Sequence, residues 1–429
     1  MFWVIRKITG DNTLNRHRRT LFIILSAQYL IVYFHRVSPA VIAQDLVSSF
    51  HISATVLGVL ASAYFYPYAA MQVPVGILSD SWGPKKTIVL FSLVAALGAV
   101  AFGLAPNFGF AVAARALVGM GLAAVFVSSM RIFSLWFHGA QLARVAGALM
   151  AVGGIGWFSA TTPLAVLSGA VGWRMAIVLV GCASIVVIFF IAIFVEDTPE
   201  QKGLPPLVED GEAVFSGKRD IAGDVKIVLR NKYFWSIAVW FIMRGGALFG
   251  FFGLWAGPYL KDVYGVSKGT AGGILSMIAV AMIFVSPIIG HLSDRTLKSR
   301  KKILVWSSLL NVLCFGCAVY FFDRLGVASL YVLFFLMGIT VSSVGTVAIV
   351  TAKELFPGEI AGTSMGMINL FPFIGAIIFQ PLMGFILDRA GTVGGAYPLS
   401  AYRSMLWVYF ITSIFAFLSI LKCKETFRG

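Results

Sequence analysis

Charge is scarce in this chain. Asp, Glu, Lys and Arg make up 12% of its 429 residues, about half of the quarter that a soluble domain carries. Acids are the scarcer, 18 against 33 bases. Too little charge is present to cover a surface in water, which excludes a soluble enzyme and, despite a net charge of +15, a nucleic-acid binder. Cysteine is rare too. Cys314 and Cys317 form a CxxC, but no nearby His or second pair completes a metal site, so these, Cys182 and Cys423 read as small apolar fillers. No metal and no cofactor is expected. A cleavable signal is also lacking: Met1 to Thr20 is polar and basic, and the apolar run from Leu21 to Ala43 is too long for a signal and has no small-residue cleavage site.

What is abundant is apolar length. Hydrophobic residues account for 59% of the chain and the mean hydropathy is +0.90, enough for about a dozen membrane spans of about 20 residues each. Twelve apolar stretches are expected at 20–43, 54–79, 86–105, 108–136, 143–168, 173–195, 233–260, 270–292, 302–322, 327–351, 361–387 and 402–421. The fold class is an all-α membrane protein with twelve transmembrane helices in two six-helix bundles. With the N-terminus inside, the outer loops hold only Arg174, Lys261, Lys268, Arg324, Arg389 and Arg403, and most other Lys and Arg fall on the cytoplasmic side. Both termini are therefore expected in the cytoplasm, and the high pI reflects insertion and anionic lipid. A polar stretch with Pro205-Pro206 separates the halves, so the expected domains are 1–198, a linker at 199–232, and 233–429, with a short amphipathic helix near Asp220 to Arg230.

The halves repeat a motif. Gly76-Ile-Leu-Ser-Asp80-Ser-Trp-Gly83-Pro-Lys85-Lys86 follows the second span, and Gly290-His-Leu-Ser-Asp294-Arg295, with Lys298, Arg300, Lys301 and Lys302, follows the eighth. Each copy joins a glycine, an acid at a helix end and a basic turn, as expected of an internal transporter repeat. With Arg115-Ala-Leu-Val-Gly119-Met-Gly121 in the fourth span, Trp173-Arg174 opening the sixth and Glu196-Asp197-Thr198-Pro199 closing it, the chain resembles the major facilitator superfamily over nearly its full length. The first copy has Ser81 where that family usually has a base. The resemblance implies two bundles around a central cavity that opens to each side in turn. It assigns Asp80, Arg115, Asp294 and Arg295 to coupling or gating.

Ionisable residues at membrane depth are costly and face an interior or a cavity. Here they are His35 and Arg36 in the first span, Arg115 and Arg131 in the fourth and Arg244 in the seventh, with no Asp or Glu near the middle of any span; Asp45, Asp80, Asp294, Glu354 and Asp388 all lie at helix ends. Cations without carboxylates attract anions. Arg36 lies about 16 residues past Thr20, about 24 Å deep at about 1.5 Å per residue, and its planar fork suits a carboxylate or phosphate; bonding to helix-end carbonyls is the alternative. Tyr33 shares its face. Arg131 and Arg244 are weighed evenly between anion binding and snorkelling or gating, and His35 between carrying a proton and a satisfied neutral ring. Tyr64, Tyr68 and Gln72 align at i, i+4, i+8 on the second span, and Asn369, Phe373 and Gln380 on the eleventh, as cavity lining or interhelical glue.

The run Val32-Tyr33-Phe34-His35-Arg36-Val-Ser38, with Arg131 and Trp136-Phe137, resembles the anion:cation symporter branch, which takes up sugar acids and other carboxylates; it usually has an acid where this chain has His35. The resemblance implies a secondary transporter for a small organic anion, with Arg36 and Arg131 at the matching substrate positions; depth and helical faces add Tyr33, Tyr64, Tyr68, Gln72, Asn369 and Arg244 as candidate contacts. Coupling is open between protons through His35, exchange and uniport. An organophosphate or inorganic phosphate exchanger and a drug or metabolite:proton antiporter are the alternatives; short tails weigh against a non-transporting sensor. The expected partners are the anion, membrane lipid and protons, and the chain is expected to act as a monomer in a bacterial inner membrane.

Overall fold

A computed structural model of the protein describes residues 13–137, 139–204, 221–357, 360–392 and 397–427. Among these residues every regular element is helical. Helix starts follow local chemistry. Pro39 and Pro84 open helices, where a missing N–H is harmless. Ser53, Asn107, Asn231, Ser267 and Ser299 cap others by accepting a first-turn N–H, as Asn107 does from Phe110 at 2.9 Å.

Among the described residues ten helices are long and apolar enough to cross a membrane, and the segment from Ala54, which turns back by 120° from Pro39–Phe50, adds an eleventh pass. One of the ten runs 51 residues, Arg144–Phe194, and Gly172 at φ 79° and ψ 155° breaks it into two passes. Twelve passes result, in the expected order. The first is longer than the sequence indicated, since Pro39–Phe50 continues Thr13–Val37. Large apolar side chains of the sixth, including Val186, Phe189 and Phe194, are exposed, a surface suited to lipid and not to water.

Several passes are broken. The second is divided at Ala63–Tyr64 and at Met71, and the eleventh at Asn369–Leu370. Each break includes the residue three before a proline (Pro67, Pro74 and Pro372), whose missing N–H leaves the carbonyl one turn earlier without its helical donor. The expected uninterrupted stripes on these two spans are therefore stepped. The seventh pass widens into a π-helix over Gly246–Trp255, and shorter π-turns occupy Leu292–Thr296 and Val344–Ala348, a geometry frequent at functional positions. The helix expected near Asp220 is Ile221–Arg230; residues 205–220 of the linker lie outside the described residues.

The chain divides into two compact units. One holds the described residues up to Tyr33, with Tyr66–Gly156 and those from Arg174 to Leu204; the other holds Phe34–Phe65, Trp157–Trp173 and those from Ile221 onward. In the first, Arg174 donates to the carbonyl of Ala105 at 2.7 Å and Gln28 to Ser184 at 3.2 Å. The second centres on aromatic side chains: Phe251, Phe315 and Tyr409 pack with centroids 5.3 to 5.7 Å apart.

Candidate functional site

Arg36 lies in the second unit and is 5% exposed. Its guanidinium carbon is 5.2 Å from the ring centre of Phe373 and 5.9 Å from that of Phe249. Those rings stack at 5.8 Å, and Phe65 completes a triad, 5.2 Å from Phe249 and 6.0 Å from Phe373. Three passes thus contribute to one aromatic bed. A guanidinium within about 6 Å of ring centres gains cation–π attraction, and its planar fork is the group suited to grip a carboxylate with two prongs. His35 is 2% exposed, with its ring edge-on to Phe34. Tyr64 is fully buried against Phe65. Gln380 donates to the carbonyl of Phe249 at 2.9 Å and its own carbonyl accepts from the Trp255 indole at 2.9 Å, which ties the eleventh pass to the π-helix beside the bed.

Arg244 and Asn369 share this unit. Arg244 is 3% exposed, lies 5.7 Å from the Trp240 ring, and makes no hydrogen bond through Nε or Nη2 among the described residues. Asn369 sits at the break before Phe371. In the first unit, Tyr33 packs on Tyr29 at 5.4 Å, Tyr68 is buried, and Gln72 donates to the carbonyl of Tyr68 at 3.4 Å. Arg115 is 1% exposed over Phe102. Arg131 forms an ion pair with Asp80 at 3.1 Å, so an anion bound there would compete with the motif's own carboxylate.

The repeated motif proves to be the visible part of a larger one. In the first copy the Asp197 carboxylate accepts the Lys85 N–H at 2.6 Å, at the start of Pro84–Gly103, while Glu196 pairs with the Lys85 ammonium at 2.9 Å. Gly83 holds φ at 100°, and a side chain there would run into Asp197. Burial pushes the Asp197 carboxyl up, against the pull of the Lys85 N–H and charge. In the second copy Glu425 takes the same role: it accepts the Arg300 N–H at 2.9 Å, at the start of Arg300–Tyr320, and the Ser299 hydroxyl. Arg300 pairs with Asp294, and with Glu354 at 3.1 Å; Arg295 is exposed. Sequence reading missed Glu425. The signal that finds it is that each half's last acid returns to cap that half's third pass.

Burial raises the Glu425 carboxyl, but its hydrogen bonds to Ser299 and to the N–H groups of Phe427, Arg300 and Thr426 win, and its pKa lies below its ordinary 4.5. Its stabilising contribution is therefore present above that ordinary value and lost as pH falls through the lowered one. Glu425→Gln should destabilise by about 1 kcal/mol near neutral pH, as loss of a capping acceptor does, and should flatten the decline below about pH 4.5. Thermal unfolding of purified protein at graded pH measures both.

A sequence profile for the Major Facilitator Superfamily matches residues 21–322 and again 247–427. The chain is 24% identical over 409 residues to a probable sulfoacetate transporter of Cupriavidus necator, covering 93% of each chain. It is also 24% identical over 413 residues to a hexuronate transporter of Bacillus subtilis, covering 92% of this chain and 94% of that one. Its fold is similar to the crystal structure of a bacterial homologue of the human lysosomal transporter Spinster, in an inward-facing and occupied conformation, with TM-score 0.76, 18% identity, and 96% and 97% of the two chains covered. With twelve passes, a duplicated motif and a profile that spans nearly the whole chain, the protein belongs to the Major Facilitator Superfamily: it is a multi-pass membrane transporter and not an enzyme.

Proposed function

We propose that the protein is a secondary transporter of a small organic anion, a carboxylate or sugar acid, working by alternating access with Arg36 as the principal anion contact. The observation that carries this reading is the Arg36 guanidinium, buried and bedded on Phe373 and Phe249, in a chain whose spans hold no carboxylate near their middles. The aromatic rings pack beside the guanidinium, and low dielectric makes each charge-assisted bond count for more than in water. Relatives named for sulfoacetate and hexuronate transport support an acid cargo. His35, adjacent to Arg36, is the proton carrier if transport is symport, and Arg131 with Asp80, and Asp294 with Arg300, act at the gate. The remaining assignments belong to the same reading: bundles 1–198 and 233–429 joined by 199–232, both termini in the cytoplasm of a bacterial inner membrane, and the Phe50–Ala54 turn on the outer side.

A ligand that binds only the folded state raises its melting temperature. A thermal-shift screen of purified protein should therefore show stabilisation by hexuronates, sugar diacids or sulfoacetate and none by cationic amines. Stabilisation by glycerol phosphate alone would replace the carboxylate reading with the phosphate one. Stabilisation by cations alone would end both.

A further inference from the structure

Two helix pairs in the second unit share one construction. In the first pass Arg36, Ala40 and Gln44 follow at i, i+4 and i+8; in the seventh Gly253, Gly257 and Lys261 do the same. A Cβ on Gly257 would collide with the Ala40 carbonyl, one on Gly253 would stand 3.4 Å from the Arg36 carbonyl, and Gln44 bonds Lys261. In the second pass the stripe is Ala54, Gly58 and Ser62; in the eleventh it is Gln380, Gly384 and Asp388. A Cβ on Gly58 would lie 2.5 Å from the Gln380 carbonyl oxygen, and one on Gly384 would collide with the Ala54 backbone. Both crossings are bare backbone against backbone, with polar groups fastening the ends.

The fastening on the second pair is unusually complete. The two Asp388 oxygens accept the N–H groups of Ala54 at 2.9 Å and Thr55 at 2.8 Å, the Thr55 hydroxyl at 2.5 Å and the Tyr397 hydroxyl at 2.7 Å. Ala54 and Thr55 open the helix Ala54–Ser62, and Ser53 caps only Val56. A carboxylate supplied from 334 residues away thus satisfies orphan donors at a positive helix end. Beside it Lys268 pairs with Asp45 at 2.5 Å, and Asp262 accepts from Gln44 and from Tyr402. A cavity of about 590 Å³, lined in part by Gln44, Asp45, Lys261 and Lys268, opens at this end.

We infer that these paired glycine seams and the Asp388 cap form a latch that holds the outer mouth shut, and that the cap must leave the second helix before substrate can exchange on that side. The inference rests on the orientation in the proposed function, which places this end outside. Alternating access requires first-half passes one and two to part from second-half passes seven and eleven at one end. Here that parting leaves the N–H groups of Ala54 and Thr55 without their second-half acceptors, Asp388 and the Tyr397 hydroxyl, and strips Asp388 of three of its donors. Arg36 and Gln380 stand at the deep ends of their own stripes, so the seams close directly beside the aromatic bed, and an anion held there is sealed from the outside as long as the latch holds.

The test reads outer opening without any substrate. With the four native cysteines replaced by Ser, Ser62→Cys places a thiol in the second-pass stripe at a site 1% exposed when the latch is closed. Right-side-out vesicles are treated with a membrane-impermeant maleimide. Gly384→Val and Asp388→Asn should each raise the labelling rate about tenfold by shifting the population toward the open mouth. Asp388→Asn keeps the shape of the side chain, so it remains informative should valine at 384 prevent insertion. Labelling at the parent rate in Asp388→Asn would overturn the latch. Because the readout is thiol accessibility, failure of the organic-anion screen would leave this result standing, and the reverse holds as well.

Discussion

Arg36→Ala should abolish uptake of the responding anion into proteoliposomes, with membrane expression unchanged. A two-pronged charge-assisted pair replaced by a methyl group loses about 3 to 6 kcal/mol at about 1.5 to 3 kcal/mol per bond, which corresponds to a fall of about 10² to 10⁴-fold. Arg36→Met separates charge from packing, since it keeps an apolar stem against Phe249 and Phe373; it should express well and transport as poorly as the alanine variant. Arg36→Lys should recover only part of the activity, because an ammonium is a point charge without the planar fork. Uptake at the parent rate by Arg36→Met would remove Arg36 from the site.

Arg244→Met should raise thermal stability. The guanidinium is 3% exposed, and its Nε and Nη2 find no hydrogen-bond partner among the described residues, a desolvation that costs about 1 to 3 kcal/mol for buried unsatisfied groups. Methionine fills a similar volume over Trp240 without that cost, so a gain of about 1 to 3 kcal/mol is expected, about 2 to 4 °C per kcal/mol for a large domain. A positively charged side chain retained at such a price has a use other than stability. The same variant should therefore transport more slowly. Lower stability together with unchanged transport would show that Arg244 is an ordinary part of the packing.

How much of this was legible in the sequence depends on the range of the interaction. Helical passes announce themselves through about 20 consecutive apolar residues, and the repeated Gly76-to-Asp80 and Gly290-to-Asp294 motifs through spacing alone. Arg36 stood out because few charges enter the spans. The breaks at Tyr64, Met71 and Asn369 were readable in principle, since each precedes a proline by a fixed distance, yet they turn the expected Tyr64, Tyr68 and Gln72 face into a stepped one. Arg131 looked like a candidate anion contact; its ion pair with Asp80 could not be read from two residues on different passes. Glu425 was invisible for the same reason.

By itself, then, the sequence determined whatever depends on neighbours along the chain: the membrane class, the passes and their order, the duplicated basic turns, and the presence of one arginine inside an apolar run. Tertiary structure alone decided which rings lie under Arg36, which acid closes which helix, and where backbone meets backbone. The physical reason is that hydropathy and helical period act within a few turns, whereas Asp388 and Ala54, or Arg36 and Phe373, are joined only when separately stable helices pack. Their meeting is selected by the shape of two surfaces, glycine against backbone, and by the need of every buried donor for an acceptor.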